Sequence, residues 1–381
     1  MLSILEKKLV WWRDVPIDVE NGLLMYLSKK WKNDIYIISA NDYESSRKQC
    51  SWDNFHLNNI HMINGNLDSK ENQKIINSLL KEDNINVFSG IKGGQRVYLD
   101  LLNKNKKNKC VIISEIPSMN CNFIKKICYL AVYSYYYKKY KSIINGLFAM
   151  GKDAVHFYSL CGWKNIFNFM YLPNFKPIKS LNNNNNNNQK SVRKIKMLYI
   201  GRFDYKSKGV KILMKAVDKI KKSKNEWALD LVGGYGLNKD EIIEWCNKKE
   251  NINFKGSWNF NCVIEEMSKY DFCIVPSKYD GWNLTPLQSI YSGIGCITTD
   301  NSGSQELIFN SGAGIVVSAN NVKKMKKAIE DALNNIDLID NWKLKANKYS
   351  NIVSIENVGN YFVNGLKFCY GEISKKHKCP W

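Results

Sequence analysis

Histidine is scarce in this sequence: four residues in 381, with no H-E-x-x-H spacing. That excludes a histidine-rich metal site, so no metal is expected. Cysteine is present at 11 positions, but the number is odd and no C-x-x-C occurs. Neither a disulfide framework nor a zinc ribbon fits, and a reducing cytosol does. No run of eighteen apolar residues occurs, so no membrane-spanning helix is predicted. The opening MLSILEKKLVWW is broken by Glu6, Lys7 and Lys8 and lacks a small-residue cleavage site, which argues against a secretory signal. Acidic residues are outnumbered, with Asp plus Glu at 35 against Lys plus Arg at 56, and the formal charge of +21 calls for an anionic partner.

What is present reads as an ordinary globular chain, 44% hydrophobic and 24% charged, long enough for two or three domains. Residues 176–194, KPIKSLNNNNNNNQKSVRK, hold an unbroken Asn run from Asn182 to Asn188 and no apolar period. They read as a linker that divides the chain nearly in half. Beyond it, strands are predicted at 195–201, 227–234, 252–256, 271–277, 295–299 and 313–317. Helices at 208–222, 238–249, 260–269, 283–292 and 321–335 alternate with them. Such alternation means a parallel sheet covered on both faces. Before the linker the predicted strands are 8–12, 35–39, 85–90, 110–114 and 154–158, with helices at 19–30, 70–81 and 122–140. The predicted organisation is an N-terminal domain over 1–175, the linker, a second domain over 195–352 and a helical tail over 353–381. The fold class is α/β, two doubly wound Rossmann-like domains facing a cleft, with ligands beyond the carboxyl ends of the strands.

Two segments of the second half hold residues suited to phosphate and sugar chemistry. GRFDYKSKG follows the first strand: Gly201 allows a tight turn, and Arg202 and Lys208 flank a helix N-terminus, an arrangement suited to a diphosphate. VPSKYDGWNLTPLQS ends a strand at Pro276-Ser277 and turns through Asp280-Gly281-Trp282-Asn283 into a helix that begins near Leu284. Asp280 can accept hydrogen bonds from sugar hydroxyls, and Gln288, eight residues on, shares its helix face. A second polar loop, Asn301-Ser302-Gly303-Ser304, precedes Glu306.

These motifs, in this order and spacing, resemble the nucleotide-sugar domain of glycosyltransferase family 4, a retaining GT-B family, over roughly residues 195–335. The family's G-R…K-G segment reads here as Gly201-Arg202 and Lys208-Gly209. Its P-S…E-G-[FW]-G…E-A reads as Pro276-Ser277, Asp280 to Asn283, and Gln288-Ser289, and its G-G-x-x-E-L-I as Gly303 to Ile308. The resemblance implies transfer of a hexose from a nucleoside diphosphate sugar, a UDP-sugar above all, to a surface or lipid-linked glycan, with retention and without a metal or other cofactor. It implies roles for Arg202, Lys208 and Asp280 in catalysis. Gly201, Gly281, Trp282, Asn283, Leu284, Gln288 and Glu306 would bind the donor, and Trp258 would flank the nucleobase. The family's paired glutamates are Asp280 and Gln288 here, so the ribose contact falls to a neutral acceptor. That departure leaves a weakly active or inactive partner subunit as the alternative.

The first half resembles the acceptor domain of polysaccharide-building members more faintly, through residues 88–102, 111–118 and 149–175. Where the family brings a polar residue to the transferred sugar, Ser114-Glu115 stands here, and Glu115 could touch sugar or acceptor. Residues 121–152 hold six lysines, eight aromatic residues and no Asp or Glu. That composition predicts peripheral attachment to an anionic membrane surface, on the cytoplasmic side of the cell membrane. Nucleic acid would favour the same charge, but no recognition motif for it occurs, and none is expected as a partner.

Overall fold

The computed structural model describes residues 3–16, 19–41, 59–65, 69–178, 194–221 and 223–381. Two compact units form, one from residues 1–174 with 354–380 and one from 175–353 with Trp381. The linker reading falls largely on 179–193, outside the described residues.

The first unit is built on a parallel seven-stranded sheet: β1 (Leu9–Arg13), β2 (Ile35–Ser39), β3 (Ile60–Asn64), β4 (Ile85–Ser89), β5 (Cys110–Ser114), β6 (Ile144–Met150) and β7 (Ile166–Phe169). The strands lie in the order β3-β2-β1-β4-β5-β6-β7. All five residues of β1, Leu-Val-Trp-Trp-Arg, are buried, as expected of a central strand covered on both faces. Around the sheet are α1 (Asn21–Lys30), α2 (Lys70–Lys81), α3 (Arg96–Asn105), α4 (Phe123–Tyr140) and α5 (Lys152–Leu160). One prediction is overturned. Residues 154–158, AVHFY, are helical within α5, although their aromatic and β-branched content reads as a strand. Gly151, at φ 84°, breaks the chain after β6, and Ala154, Phe157, Tyr158 and Cys161 are then buried at helical spacing. The strands flanking this helix, β6 and β7, together with β3 and α3, are additions to the sequence reading.

The second unit carries a parallel six-stranded sheet: β8 (Ile195–Ile200), β9 (Trp227–Val232), β10 (Ile252–Phe254), β11 (Phe272–Val275), β12 (Gly295–Thr299) and β13 (Gly314–Val317), ordered β10-β9-β8-β11-β12-β13. Its helices are α6 (Val210–Val217), α7 (Lys239–Asn247), α8 (Val263–Ser268), α9 (Leu284–Tyr291), α10 (Gln305–Ser311), α11 (Val322–Leu333) and α12 (Ile336–Ile352). Every predicted strand and helix of this half is present, with ends within a few residues. One face of the sheet, through Met197, Tyr199, Leu229, Leu231 and Ile274, packs into a core closed by α6 and α11.

The chain then forms α13 (Ile355–Cys369), the predicted tail helix, which belongs to the first unit. Gly359 lies so close to the Tyr26 ring of α1 that a Cβ would stand 2.5 Å from it. Phe362 stacks on Trp11 with ring centroids 6.0 Å apart and lies 4.7 Å from Phe148. The tail therefore completes the aromatic core on one face of the first sheet.

Candidate functional site

In the second sheet the chain runs outward from β8 to β9 and β10, then returns to place β11 on the other side of β8. The strand order reverses there, and in doubly wound sheets that switch opens a crevice at the carboxyl ends. The loops after β8, β11 and β12 meet at this point, and backbone and hydroxyl hydrogen bonds bind them together. Lys278 N–H donates to Ser207 O at 2.8 Å, and Asp280 N–H to Asn301 O at 3.0 Å. Thr299 Oγ1 donates to Ser277 O at 2.6 Å, Ser304 Oγ to Asn283 O at 2.5 Å and Asn301 Nδ2 to Lys278 O at 3.0 Å. Two glycines permit the closeness. A Cβ on Gly209, itself at φ 67°, would lie 2.0 Å from Pro276 O, and one on Gly303 would lie 1.9 Å from Gly281 O.

Gly201 ends β8, and Arg202 follows with an exposed side chain that makes no ion pair among the described residues. Asp204 shapes the next turn by accepting from Lys206 N–H at 2.6 Å and from the Ser207 hydroxyl. Partial burial pushes the Asp204 carboxyl up, but these bonds and the nearby Arg202 charge outweigh it and hold the group below its ordinary range. Lys208 then reaches Asp280, and the two form a close, mostly buried ion pair whose side chains are 19% and 15% exposed. The predicted cation and the predicted sugar-binding carboxylate thus touch each other.

Asn283 caps α9 by accepting from Thr285 N–H at 3.0 Å, and its amide donates to Ser277 Oγ at 3.3 Å. Pro286 has no N–H, so cap and proline together remove two of the four donors a helix start otherwise offers a ligand. Trp282 is buried beside this turn, and its indole N–H has no acceptor among the described residues. Gln288 and Glu306 are buried on α9 and α10, at 6% and 2% exposure. Trp258 is not brought to this group. Its ring lies 6.0 Å from Tyr270, in a groove with Lys194 and Lys196 at the start of β8. Sequence reasoning missed Ser207 and Thr299. Their hydroxyls and carbonyls join loop to loop, and no short motif marks such contacts.

The first sheet also switches, between β1 and β4. Asp14, just past β1, accepts from Gly94 N–H and from Asn41 Nδ2, both at 2.8 Å. Arg13 and Glu20 form an ion pair at 2.8 Å with both side chains buried. Gln95 donates through Nε2 to Lys92 O at 2.6 Å. Glu115, past β5, accepts from Tyr171 Oη at 2.7 Å. Tyr171 is enclosed. Burial first, then the neighbouring carboxylate, pushes its phenol well above the usual range, so it remains a donor to Glu115. Of this group only Glu115 was picked out from sequence; the signals for the rest were D-V-P directly after one strand and G-G-Q after another.

The basic segment 121–152 divides in the structure. Tyr133, Tyr140 and Phe148 are core residues, β6 takes 144–150 into the sheet, and Lys139 pairs with Asp100 at 2.6 Å. The exposed remainder is the start of α4, where Phe123 and Ile124 are 75% and 71% exposed beside Lys125 and Lys126, with Ile127 and Tyr135 further along. Among the described residues no helix is long and apolar enough to cross a membrane.

Residues 182–349 match the model of the family described as glycosyl transferases group 1. An uncharacterized glycosyltransferase of Methanocaldococcus jannaschii is 27% identical over 193 residues, 46% of this chain and 49% of the relative. The chain spans about half the length of these curated relatives that it matches. Among solved structures, WaaG, a glycosyltransferase involved in lipopolysaccharide biosynthesis, superposes at a TM-score of 0.63 and 14% identity, covering 94% of this chain and 98% of that one. Anabaena HepE, solved in complex with UDP-glucose, superposes at 0.65 and 10% identity over 97% and 100% of the two chains. The fold is that of the GT-B glycosyltransferases. Residues 182–349 are thus similar to the group 1 glycosyl transferases, and the fold of the chain is of GT-B type.

Proposed function

We propose that this protein transfers a hexose from a UDP-sugar to a growing surface or lipid-linked glycan, with retention at the anomeric carbon and without a metal. The observation that carries the reading is the junction of the loops after β8, β11 and β12, which holds Arg202, Lys208, Asp280 and the start of α9 at one switch point. Departure of a diphosphate concentrates negative charge on its leaving oxygen. Fixed cations beside that oxygen lower the barrier because they need no reorganisation as the charge develops. Arg202 and Lys208 would supply those charges. Asp280 would orient sugar hydroxyls, and its pairing with Lys208 keeps the lysine side chain placed before the donor arrives. Gly201, Gly281 and Leu284 would present backbone to the donor, while Trp282, Asn283, Gln288 and Glu306 support that wall. Glu115, set by Tyr171, would meet an acceptor hydroxyl. HepE is described with UDP and with UDP-glucose, and WaaG with lipopolysaccharide biosynthesis, which favours a UDP-sugar donor and a glycan acceptor.

The apolar, lysine-flanked start of α4 would hold the protein on the anionic cytoplasmic face of a membrane, where lipid-linked acceptors reside. A thermal-shift series with UDP-, GDP- and ADP-sugars, followed by donor turnover, tests the central claim. A raised melting temperature with a UDP-sugar, and release of UDP on adding acceptor, are expected. Gln288 in place of a carboxylate favours a second reading, a partner subunit that keeps the fold and binds donor without turnover. Binding without UDP release would select it.

A further inference from the structure

Strand alternation gives the second sheet a second face. While Met197, Leu229 and Ile252 point into the core, Lys196, Ala228, Asp230 and Asn253 line the opposite face of β8, β9 and β10. Trp258, half-buried in the loop after β10, forms an aromatic wall over that face and is backed by the buried Tyr270, after α8, with ring centroids 6.0 Å apart. Between wall and strands lies a groove of about 450 Å³. That volume is within the ~300–1,000 Å³ typical of small-ligand sites.

The polar lining is organised. Asp230 accepts from Tyr270 Oη and from Asn253 Nδ2, both at 2.8 Å, which leaves the Asn253 carbonyl and the carboxylate edge for ligand hydroxyls. The charges do not balance. Lys269 is matched by Glu266 at 2.6 Å and Lys255 lies 3.9 Å from Asp230, but Lys194 and Lys196, both exposed, pair with no carboxylate among the described residues. An aromatic wall stacks on the apolar face of a pyranose ring, the Asp–Asn pair hydrogen-bonds its hydroxyls, and two spare ammonium groups match an anionic substituent. We propose that this groove is a binding site for an acidic sugar unit, a pyranose bearing a carboxylate or phosphate, separate from the switch-point site. That such a sugar would come from the glycan under construction rests on the function proposed above; the ligand class rests on the groove alone.

The test is calorimetric titration of the full chain with a galacturonic acid pentasaccharide, a phosphomannan fragment and maltopentaose as the neutral control. One or both acidic saccharides should bind and maltopentaose should not, with affinity falling as salt rises. Trp258→Ala should weaken the Kd about tenfold, and Lys194→Gln with Lys196→Gln about threefold. The lysine pair is exposed, so it keeps the test open if Trp258→Ala fails to fold. Failure of both acidic saccharides, equal binding of maltopentaose, or indifference to the variants would overturn the proposal. Displacement of the saccharide by UDP would also overturn it and return Trp258 to the nucleotide. A UDP-sugar thermal shift in the wild type, measured alongside, separates the two readings. A shift without saccharide binding defeats only the groove, and saccharide binding without a shift defeats only the donor assignment.

Discussion

The carboxyl end of the second sheet presents lysine and arginine, whereas the carboxyl end of the first presents carboxylates. At the second switch point Arg202 is exposed, Lys208 is set by Asp280, and three loops are bonded into one rigid rim. At the first, Asp14 is held by Gly94 and Glu115 by Tyr171, while Arg13 and Glu20 are buried as a matched pair. The same architecture has thus been given opposite chemistry. A cationic rim suits a diphosphate, whose charge grows as it leaves. A carboxylate rim suits hydroxyl groups, which donate to it, and disfavours phosphate.

The strongest way to break this contrast is to remove Asp280, which pairs with Lys208 and is proposed to hold the sugar. Asp280→Ala should lower kcat by ~10³-fold, the upper range for losing a preorganised polar group, because Lys208 also loses its anchor. UDP release on mixing donor and acceptor measures it. Activity within a few-fold of wild type would remove Asp280 from the site. Arg202→Ala and Lys208→Ala should each cost ~100-fold in kcat; the melting temperature should be unchanged for the exposed Arg202 and lowered for Lys208, whose loss leaves the mostly buried Asp280 carboxylate unpaired. Near-normal turnover in both would end the diphosphate assignment.

The rim itself can be tested. Gly209→Ala puts a methyl 2.0 Å from Pro276 O at a φ of 67°. It should destabilise the protein by ~2–4 kcal/mol in urea unfolding and loosen the loops as well. The same substitution at Gly162, at φ 82° but with nothing within 4 Å of its Cβ, should cost only about 1 kcal/mol for the backbone. Equal losses at both would mean that the loop junction adds nothing.

The two units also differed in how far they could be read from sequence. In the second, most short apolar runs are bounded by Gly, Pro or Asn and followed by a helical stretch, so strands and helices alternate visibly; α10 and α12 alone among its helices were not expected. In the first, Ala154 to Tyr158 is apolar at nearly every position, and only the buried spacing of Ala154, Phe157 and Tyr158 reveals a helix. β3, with three of its five residues outside the buried and half-buried classes, has an edge strand's polar pattern and gave no signal. The site followed suit. Candidate residues that stand in a short motif, Arg202, Lys208 and Asp280, were legible. Ser207, Thr299, Asp14 and Tyr171 were not, because their partners are backbone atoms or side chains far away in the chain. Trp258 was misplaced because a loop directly after a strand need not stay at that strand's end; this one carries the indole toward Tyr270.

A smaller effect is expected at the start of α4, the surface proposed above to meet lipid. Phe123→Ser, Ile124→Ser and Ile127→Ser together should cut co-sedimentation with anionic vesicles severalfold and leave unfolding unchanged, since all three are exposed. Equal pelleting of variant and wild type would move the membrane surface elsewhere.

The smallest and sharpest test is Gln288→Glu. A carboxylate accepts ribose hydroxyls more strongly than an amide, by about 1 kcal/mol, or roughly fivefold in Kd. Gln288 is 6% exposed, however, so a glutamate there must lose most of its hydration. Without donor the new charge is poorly compensated, and the variant should melt below wild type. With a UDP-sugar its hydroxyl partners are restored, and the thermal shift should exceed that of wild type. Opposite movements of apo stability and donor-induced shift would show that residue 288 faces the nucleoside. A loss in both would mean that the amide serves a different contact, and that the cationic rim of the second sheet binds a donor whose ribose lies elsewhere.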